Sequence, residues 1–251
     1  MIAQWREIIR PGHLHQNGQA SMPPGYKQFC PVAMAAEVLC TRWTIVLLRE
    51  FIAGSTRFND LRRGVPRMSP ALLSQRLKEL EAAGIIERID LPSAKGAHEY
   101  RLTEAGRDLQ SVVETIGIWG QRWVDADLSL ENLDPSLLMW DMRRNLNPTP
   151  TPKRRSVIQF LYTDLPVSQK YWWLIVEATG DVDLCSVDPG FDVDLCVTTK
   201  LRPMTSIWMG LSTVKSEQRD KNLDLDGDKA LAGNMQTWLG LSPFAVERKR
   251  V

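Results

Sequence analysis

The chain is poor in the residues from which metal centres, disulfide frameworks and membrane spans are built. Its 251 residues include four cysteines and three histidines, and no two cysteines have the CxxC spacing of a zinc or redox centre. We therefore expect no metal, no cofactor and no disulfide framework. No apolar run reaches the roughly 18 residues of a membrane span, and the N-terminus lacks a signal-peptide pattern. These absences predict a cytoplasmic protein with no membrane partner.

The formal net charge of the chain is only +1. The overall charge of the protein therefore does not attract nucleic acid. One stretch departs from this balance. Residues 42–78 hold eight basic side chains against two acidic ones, a net charge of +6. A basic patch of this kind attracts a phosphate backbone, although a solvated surface can have the same composition. The hydrophobic content of 43% is sufficient for two modest cores.

Residues 69–84 predict one complete helix. Ser69 is a favourable N-cap residue, and Pro70 suits the first helical position, where its missing N–H costs nothing. Gly84 can adopt the left-handed conformation that ends a helix. Apolar residues recur at i, i+4 and i+7 and predict one buried stripe, which consists of Leu73, Leu77 and Leu80.

The opposite face of this helix is short, polar and basic. It carries Ala71, Ser74, Gln75 and Lys78, with Arg76 on its flank, and the acidic residues come only near the C-terminal end. Such a face can enter the major groove of DNA, where amide and cationic side chains read base edges. Taken alone, the pattern is more typical of a plain surface helix.

The neighbouring segments favour the DNA-binding interpretation. Residues 30–39, 43–51 and 58–63 predict three short helices, and a turn at 64–68 leads into the 69–84 helix, which is the order of a helix-turn-helix. Residues 85–89 and 98–102 have period 2 and predict a hairpin, or wing, whose tip can reach the DNA backbone. We expect the DNA contacts to come from Arg57, Arg67, Ser69, Ser74, Gln75, Arg76, Lys78 and Lys95.

A long helix is predicted from Thr103, its N-cap, to about Val124. Apolar side chains recur along it at alternating steps of three and four residues, as in a coiled coil. Two-fold pairing through this stripe would double the contacts on a palindromic site, whereas packing into the protein's own core is the alternative. The predicted dimer interface, called the seam below, consists of Leu109, Val112, Ile116, Trp119 and Trp123.

Six short motifs within residues 26–124 resemble the HxlR-type winged-helix transcriptional regulators. They are CPV at 30–32, RWT at 42–44, RFNDLR at 57–62, SQRLKEL at 74–80, AGIIER at 83–88 and YRLTEAG at 100–106. The resemblance implies a small dimer that binds operator DNA, usually as a repressor and sometimes as an activator. The sequence departs from the family at Cys40 and Thr41, where glycine-like turn residues are usual.

Cys30 is a candidate redox switch. It precedes Pro31 at a predicted helix start, where the positive end of the helix dipole favours the thiolate. The resemblance adds that some relatives sense oxidants through a thiol at this place. The alternative is that Cys30 only packs within the dimer.

The composition shifts after Asp125. An acidic linker, a helix at 135–146 and a proline-rich segment precede strands at 156–162, 171–177, 182–186, 191–198 and 223–227 and helices at 201–211 and 229–239. These elements predict an α+β layer. FDVDL at 191–195, WMG at 208–210 and LDGDKAL at 225–231 with Trp238 resemble a sterol-carrier-protein-like domain over residues 130–245.

That second resemblance implies a curved sheet whose helices enclose an apolar tunnel for lipid-like ligands. Methionine and tryptophan at helical spacing are more often ordinary core, so both interpretations stay open. The candidate pocket residues are Trp172, Trp173, Met204, Trp208, Met209, Met235 and Trp238.

The sequence therefore predicts an α+β protein with a flexible extension (1–25), a winged helix-turn-helix domain that binds DNA and dimerises (26–128) and a sterol-carrier-protein-like domain (129–251). We expect a homodimer that represses transcription from double-stranded operator DNA, with a second domain that binds an apolar small-molecule effector or is purely structural. An enzyme is not favoured, because no Ser/His/Asp set, phosphate loop or carboxylate pair occurs. A lipid carrier would leave the basic helix-turn-helix unused.

Overall fold

A computed structural model describes residues 25–91, 97–125, 127 and 130–251. The chain folds as two compact units that divide between Glu114 and Thr115, called unit 1 and unit 2 here. The division falls inside a helix, whereas the sequence placed the domain boundary at 128–129, and that boundary stays a prediction. All but one residue of the predicted extension 1–25 lie outside the described residues.

Unit 1 is a helical domain followed by a two-stranded antiparallel hairpin. The hairpin pairs Ile86 with Leu102 and Asp90 with His98. The elements in chain order are α1 (Pro31–Leu39), α2 (Thr44–Ile52), α3 (Phe58–Gly64), α4 (Pro70–Ala82), β1 (Ile86–Asp90), β2 (His98–Leu102), α5 (Glu104–Asp108) and the start of α6 (Gln110–Trp123).

The α4 helix forms as its sequence predicts. The hydroxyl of Ser69 accepts the backbone N–H of Leu72 at 3.2 Å, and Gly84 has a φ of 69° just beyond the helix. Its leucine stripe is buried in the core of unit 1. The hydroxyl of Thr103 donates to the carbonyl of Gly84 at 2.6 Å and accepts the N–H of Gly106 at 3.2 Å, so one side chain joins the end of α4 to the start of α5.

A buried carboxylate connects α2 to the end of α3. Glu50 is fully buried, and the guanidinium of Arg49 donates to its carboxylate at 2.6 Å and to the carbonyl of Gly64 at 2.9 Å. The Glu50 carboxylate lies so close to Gly64 that a Cβ there would be 1.8 Å from Oε2. Only glycine fits at this position, which immediately precedes the turn into α4.

The inward face that the sequence predicts for α1 is covered mainly at its end. The apolar spacing of Val32, Ala35, Ala36 and Leu39 predicts that these residues face inward, and Leu39 packs against the core of unit 1, but α1 has no fully buried residue and Val32 is 76% exposed. Among the described residues of unit 1, the core covers the end of α1 at Leu39 and leaves the start of its apolar face exposed. A helix with an uncovered apolar face is expected where a partner supplies the cover.

Unit 2 is built on one five-stranded sheet of order β5-β4-β3-β6-β7. Strands β3 and β6 are parallel and the other neighbours are antiparallel. The elements after α6 are α7 (Pro135–Asn145), β3 (Ser156–Tyr162), α8 (Val167–Lys170), β4 (Tyr171–Val176), β5 (Val182–Cys185), β6 (Leu195–Thr199), α9 (Leu201–Trp208), α10 (Val214–Arg219), β7 (Leu223–Gly227), α11 (Lys229–Gly233) and α12 (Met235–Trp238).

One face of this sheet carries the core of unit 2. Alternate residues Ile158, Phe160 and Tyr162 of β3 are fully buried in it, as the period of a strand requires. The predicted α+β class of the chain is confirmed. The sterol-carrier-like identity of this unit stays a prediction.

Some element boundaries differ from those predicted. Strand β6 begins at Leu195 rather than Phe191. Just before it, the Asp194 carboxylate accepts the N–H of Val157 at 2.8 Å, so this N–H of β3 is not available to pair with the backbone of a longer β6. The helix predicted from Thr103 is interrupted at Leu109, whose N–H bonds the carbonyl of Gly106 at 3.2 Å in a tighter turn.

Substituting Gly64 tests the Glu50 contact. In Gly64→Ala, the new methyl group would overlap the buried carboxylate, so we expect unit 1 to lose about 1–3 kcal/mol of stability, as overpacked sites do. Hydrogen exchange of the α3 and α4 amides measures this loss. Gly233→Ala is the matched control, because nothing lies within 4 Å of its Cβ position in α11. Undiminished protection in Gly64→Ala would show that the contact does not fix α3.

Candidate nucleic-acid interface

The outward face of α4 is a small, exposed polar surface. Ser74, Gln75 and Lys78 are exposed, as is Ala71 near the start of the helix. The leucine stripe on the other side is buried, which fixes the rotation of α4 about its axis. The helix therefore presents a hydroxyl, an amide and an ammonium group to solvent before its first acidic residue, Glu79.

Glu79 holds two of the predicted contact residues. Its carboxylate accepts the Gln75 amide at 2.9 Å and pairs with the guanidinium of Arg76. Arg76 also donates from Nε to the backbone carbonyl of Arg42 at 3.2 Å, and only 16% of its side chain is exposed. Arg76 thus joins α4 to the segment before α2, and its role as a DNA contact stays a prediction.

Exposed arginines lie at both ends of α3. Arg57 immediately precedes the helix, and Arg67 lies in the turn between α3 and α4. Arg62 and Arg63 on α3 are also exposed, and Arg63 pairs with Asp60 at 3.3 Å. These two arginines belong to the basic stretch of residues 42–78 but are not among the predicted DNA contacts. The sequence indicates them by two consecutive arginines, because Arg62 ends the RFNDLR motif and Arg63 follows it directly.

Ser69 acts as the N-cap of α4, because its hydroxyl is bonded to the Leu72 N–H. That bond leaves the oxygen a further lone pair, but the residue's first role is to begin the helix. The hairpin is tied to the link before α3, where the N–H of Tyr100 donates to the carbonyl of Thr56 at 2.8 Å. Lys95, predicted at the tip of the wing, lies outside the described residues.

Most of the seam is exposed along α6. Val112, Ile116, Trp119 and Trp123 are 40–60% exposed, which is high for large apolar side chains. Leu109, at the break before α6, instead packs against the core of unit 1. Four of the five residues thus form an uncovered apolar stripe on one helix, as an interface would require.

Cys30 is exposed at the start of α1. The backbone N–H groups of Ala33 and Val32 hold the pKa of its thiol below the ordinary cysteine value, because they donate hydrogen bonds that favour the thiolate. Cys40, at the end of the same helix, is also exposed. The position predicted for a reactive thiol is thus accessible and favours the ionised form.

All of the candidate pocket residues except Trp173 lie in or against the packed core of unit 2. Met204, Met235 and Trp238 are fully buried there, and Trp238 donates from its indole to the carbonyl of Leu231 at 2.8 Å. Two surface cavities of unit 2, of about 410 and 150 Å³, are lined by other residues. A ligand bounded by the predicted set would have to displace core side chains. The remaining members are buried or half-buried: Trp172, Trp173, Trp208 and Met209.

Within the ranges that the structure describes, no group of three or more His, Cys, Asp or Glu side chains could hold a metal ion. Over the same ranges, no single helix is long and apolar enough to cross a membrane. Only α1 and α2 taken together, across a bend of 83°, have the length and composition for it.

Known proteins resemble the first half of this arrangement. The HxlR-like helix-turn-helix family matches residues 38–128. YvaP, an uncharacterized HTH-type transcriptional regulator of Bacillus subtilis, is 33% identical over 99 residues, which are 39% of this chain and 92% of that protein. Mb3122, an uncharacterized HTH-type transcriptional regulator of Mycobacterium bovis, is 36% identical over 138 residues, 48% of this chain and 85% of that protein.

Among solved structures, the redox regulator HypR in its reduced form is 36% identical over 37% of this chain and 91% of that chain, with a TM-score of 0.35. YvaP and Mb3122 are each more than 30% identical to this chain, and the match covers more than two thirds of each of those proteins. The chain belongs to the HxlR-like helix-turn-helix family of transcriptional regulators.

Proposed function

We propose that this regulator binds double-stranded operator DNA as a homodimer, with the outward face of α4 in the major groove, and represses transcription. The observation that carries the proposal is the exposed, acid-free N-terminal half of α4, whose leucine stripe fixes which side chains face outward. The arginines at both ends of α3 supply the positive charge that positions a phosphate backbone. Repression is the commoner mode implied by the family resemblance.

Two uncovered apolar surfaces support the homodimer. The seam is one of them, and the other is α1 with the two residues before it, where Phe29 is 99% exposed and Val32 76% exposed. Apolar side chains of this size on a water-facing surface are typical of a protein interface. A two-fold dimer would place two α4 helices on successive major grooves of a palindromic operator.

For unit 2 we propose an assembly role before an effector role. Its half of α6 carries Ile116, Trp119 and Trp123, three of the exposed seam residues. An apolar effector bound among the candidate pocket residues is the second hypothesis, supported by the sterol-carrier resemblance alone. A lipid carrier that does not bind DNA is the third, and it leaves the basic surface of unit 1 without a role.

Lys78→Ala and Gln75→Ala test the placement of α4. We expect Lys78→Ala to weaken binding to all DNA sequences about equally and to lower the salt dependence, since a phosphate contact carries no sequence information. We expect Gln75→Ala to cost about 1–3 kcal/mol at one base position only. Titration of operator variants at several salt concentrations measures both effects.

The chain offers a matched control for each variant. Gln110 bonds Glu114 at 2.8 Å with the same i to i+4 spacing that joins Gln75 to Glu79, so Gln110→Ala removes the same kind of helix contact elsewhere. Lys215→Ala removes an exposed lysine from α10. If Lys78→Ala and Gln75→Ala both bind operator as the parent does, α4 is not the reading element.

Ile116→Asp tests the homodimer. Burying an unpaired carboxylate in an apolar interface costs several kcal/mol, so we expect a monomer whose operator affinity is lower by roughly a hundredfold or more. Sedimentation gives the mass, and the same DNA titration gives the affinity. Ser111→Asp, an exposed position of α6 off the seam, is the control that should stay dimeric. A dimeric Ile116→Asp protein would place the interface elsewhere.

A thiol-based redox regulator is the second candidate, favoured by the exposure and lowered pKa of Cys30. Because the thiol pKa is lowered, the reactive thiolate persists to a lower pH than that of an ordinary cysteine, whose pKa is about 8.5.

The alkylation rate of Cys30 should therefore begin to fall at a lower pH than that of a free cysteine in a short model peptide, and mass spectrometry can follow both thiols. Mild oxidant should alter operator binding of the parent and leave Cys30→Ser unaffected, with Cys196→Ser as the control. An equal response of the parent and Cys30→Ser would exclude the switch.

A further inference from the structure

The last residues of the described chain lie along the half of α6 that belongs to unit 2. Residues 241–251, called the clamp here, contain no regular helix or strand. They contact α6 from Gly117 to the residue after its end, and all of these contacts are within unit 2. The contacts are of three kinds: an ion pair, hydrogen bonds to the end of the helix, and apolar packing.

The ion pair is formed by Arg122 and Glu247. The Arg122 guanidinium donates from Nε at 2.8 Å and from its terminal nitrogen at 2.6 Å to the same carboxylate oxygen, Oε2 of Glu247. The two side chains are 36% and 23% exposed. A pair that is only partly exposed keeps more of its attraction than a fully solvated one, but it is still sensitive to salt.

The hydrogen bonds cap the C-terminal end of α6. The backbone N–H of Arg250 donates to the carbonyl of Arg122 at 2.9 Å, and the ammonium group of Lys249 donates to the carbonyl of Val124. The last carbonyls of a helix have no partner within it and carry partial negative charge. The clamp therefore satisfies groups that α6 itself leaves open.

The packing depends on a glycine. The ring of Phe244 lies against Gly117 so closely that a Cβ there would be 2.2 Å from Cζ. The guanidinium of Arg250 lies 5.6 Å from the ring centre of Trp123, a distance at which a cation attracts an aromatic face. The clamp thus contacts one seam residue directly.

Apart from the contact of Arg250 with Trp123, the clamp and the seam occupy different faces of α6. The packed positions Gly117, Gln121 and Val124 recur at steps of four and three, and Gln121 is buried and donates to the carbonyl of Met209 at 3.2 Å. The exposed seam positions Ile116 and Trp119 lie on another side of the helix. The same helical segment is therefore held on one side, and Ile116 and Trp119 stay exposed on the other.

We propose that the clamp sets the geometry with which two copies of the chain pair through the seam, with Arg122 and Glu247 as its positioning residues. The proposal rests on the homodimer and operator binding proposed above. A helix fixed at its end and along its inner face presents its outer side chains in one arrangement. Because the dimer fixes the separation of its two reading helices, that arrangement would set the half-site spacing that the protein selects.

Charge reversal in the full-length chain tests the clamp. We expect Arg122→Glu and Glu247→Arg singly to lower affinity for the preferred operator by roughly fivefold, the scale of a partly exposed ion pair replaced by repulsion, and to broaden the accepted half-site spacing. The double reversal, which restores the pair with opposite polarity, should recover both properties. Binding is measured on operators whose half-sites differ in spacing by single base pairs, and the mass is followed by sedimentation.

Arg219→Glu is the matched control, because Arg219 forms an exposed ion pair with Asp220 at 3.0 Å in α10. It should leave affinity and spacing unchanged. Glu247→Gln keeps the size of the side chain and replaces a reversal variant that does not fold. Parent-like spacing in the single reversals, or a double reversal that recovers nothing, would overturn the proposal. A parent that neither dimerises nor binds a two-fold site would overturn the proposed function itself, and that result involves no clamp variant.

Discussion

The orientation of α4 depends on one buried carboxylate. Glu50 lies in the interior of unit 1, where Arg49 bonds it and also the carbonyl of Gly64. Removing one partner of a buried charge pair is usually costly, because the other charge stays buried without compensation. The contact fixes the last turn of α3, which leads through a short turn into Ser69. The direction of α4 and the side chains that it presents to solvent follow from that fixed point.

Local signals in the sequence were sufficient to predict most of unit 1. The cap at Ser69, the left-handed glycine at 84 and the leucine stripe all depend on contacts within about four residues, and the structure confirms them. The face of α1 could not be predicted, because its apolar pattern is the same whether the cover comes from its own domain or from another molecule. In unit 2 the strands were found but their order was not, since β3 pairs with β6 across more than 30 residues.

The sequence predicted which residues lie on the outward face of α4, but not which of them bond one another. Gln75, Arg76 and Lys78 were all placed on α4 correctly, but Glu79 holds the first two and leaves Lys78 outward. The spacing of Glu79 from Gln75 and Arg76, four and three residues, is a signal that the sequence contains. Methionine and tryptophan at helical spacing in unit 2 predicted both a pocket and a core, and the structure places Met204, Met235 and Trp238 in the core.

The clamp has a consequence for the order of events during synthesis. Arg122 and Glu247 are 125 residues apart in the chain. A ribosome that adds about 5–20 residues per second makes the helix roughly 6–25 seconds before the segment that caps it. During that interval the nascent chain holds α6 with open terminal carbonyls and no cover on Gly117. Pairing in the final geometry is then available only after the ribosome has made residues 241–251, so neighbouring nascent chains that still lack the clamp cannot pair in that way.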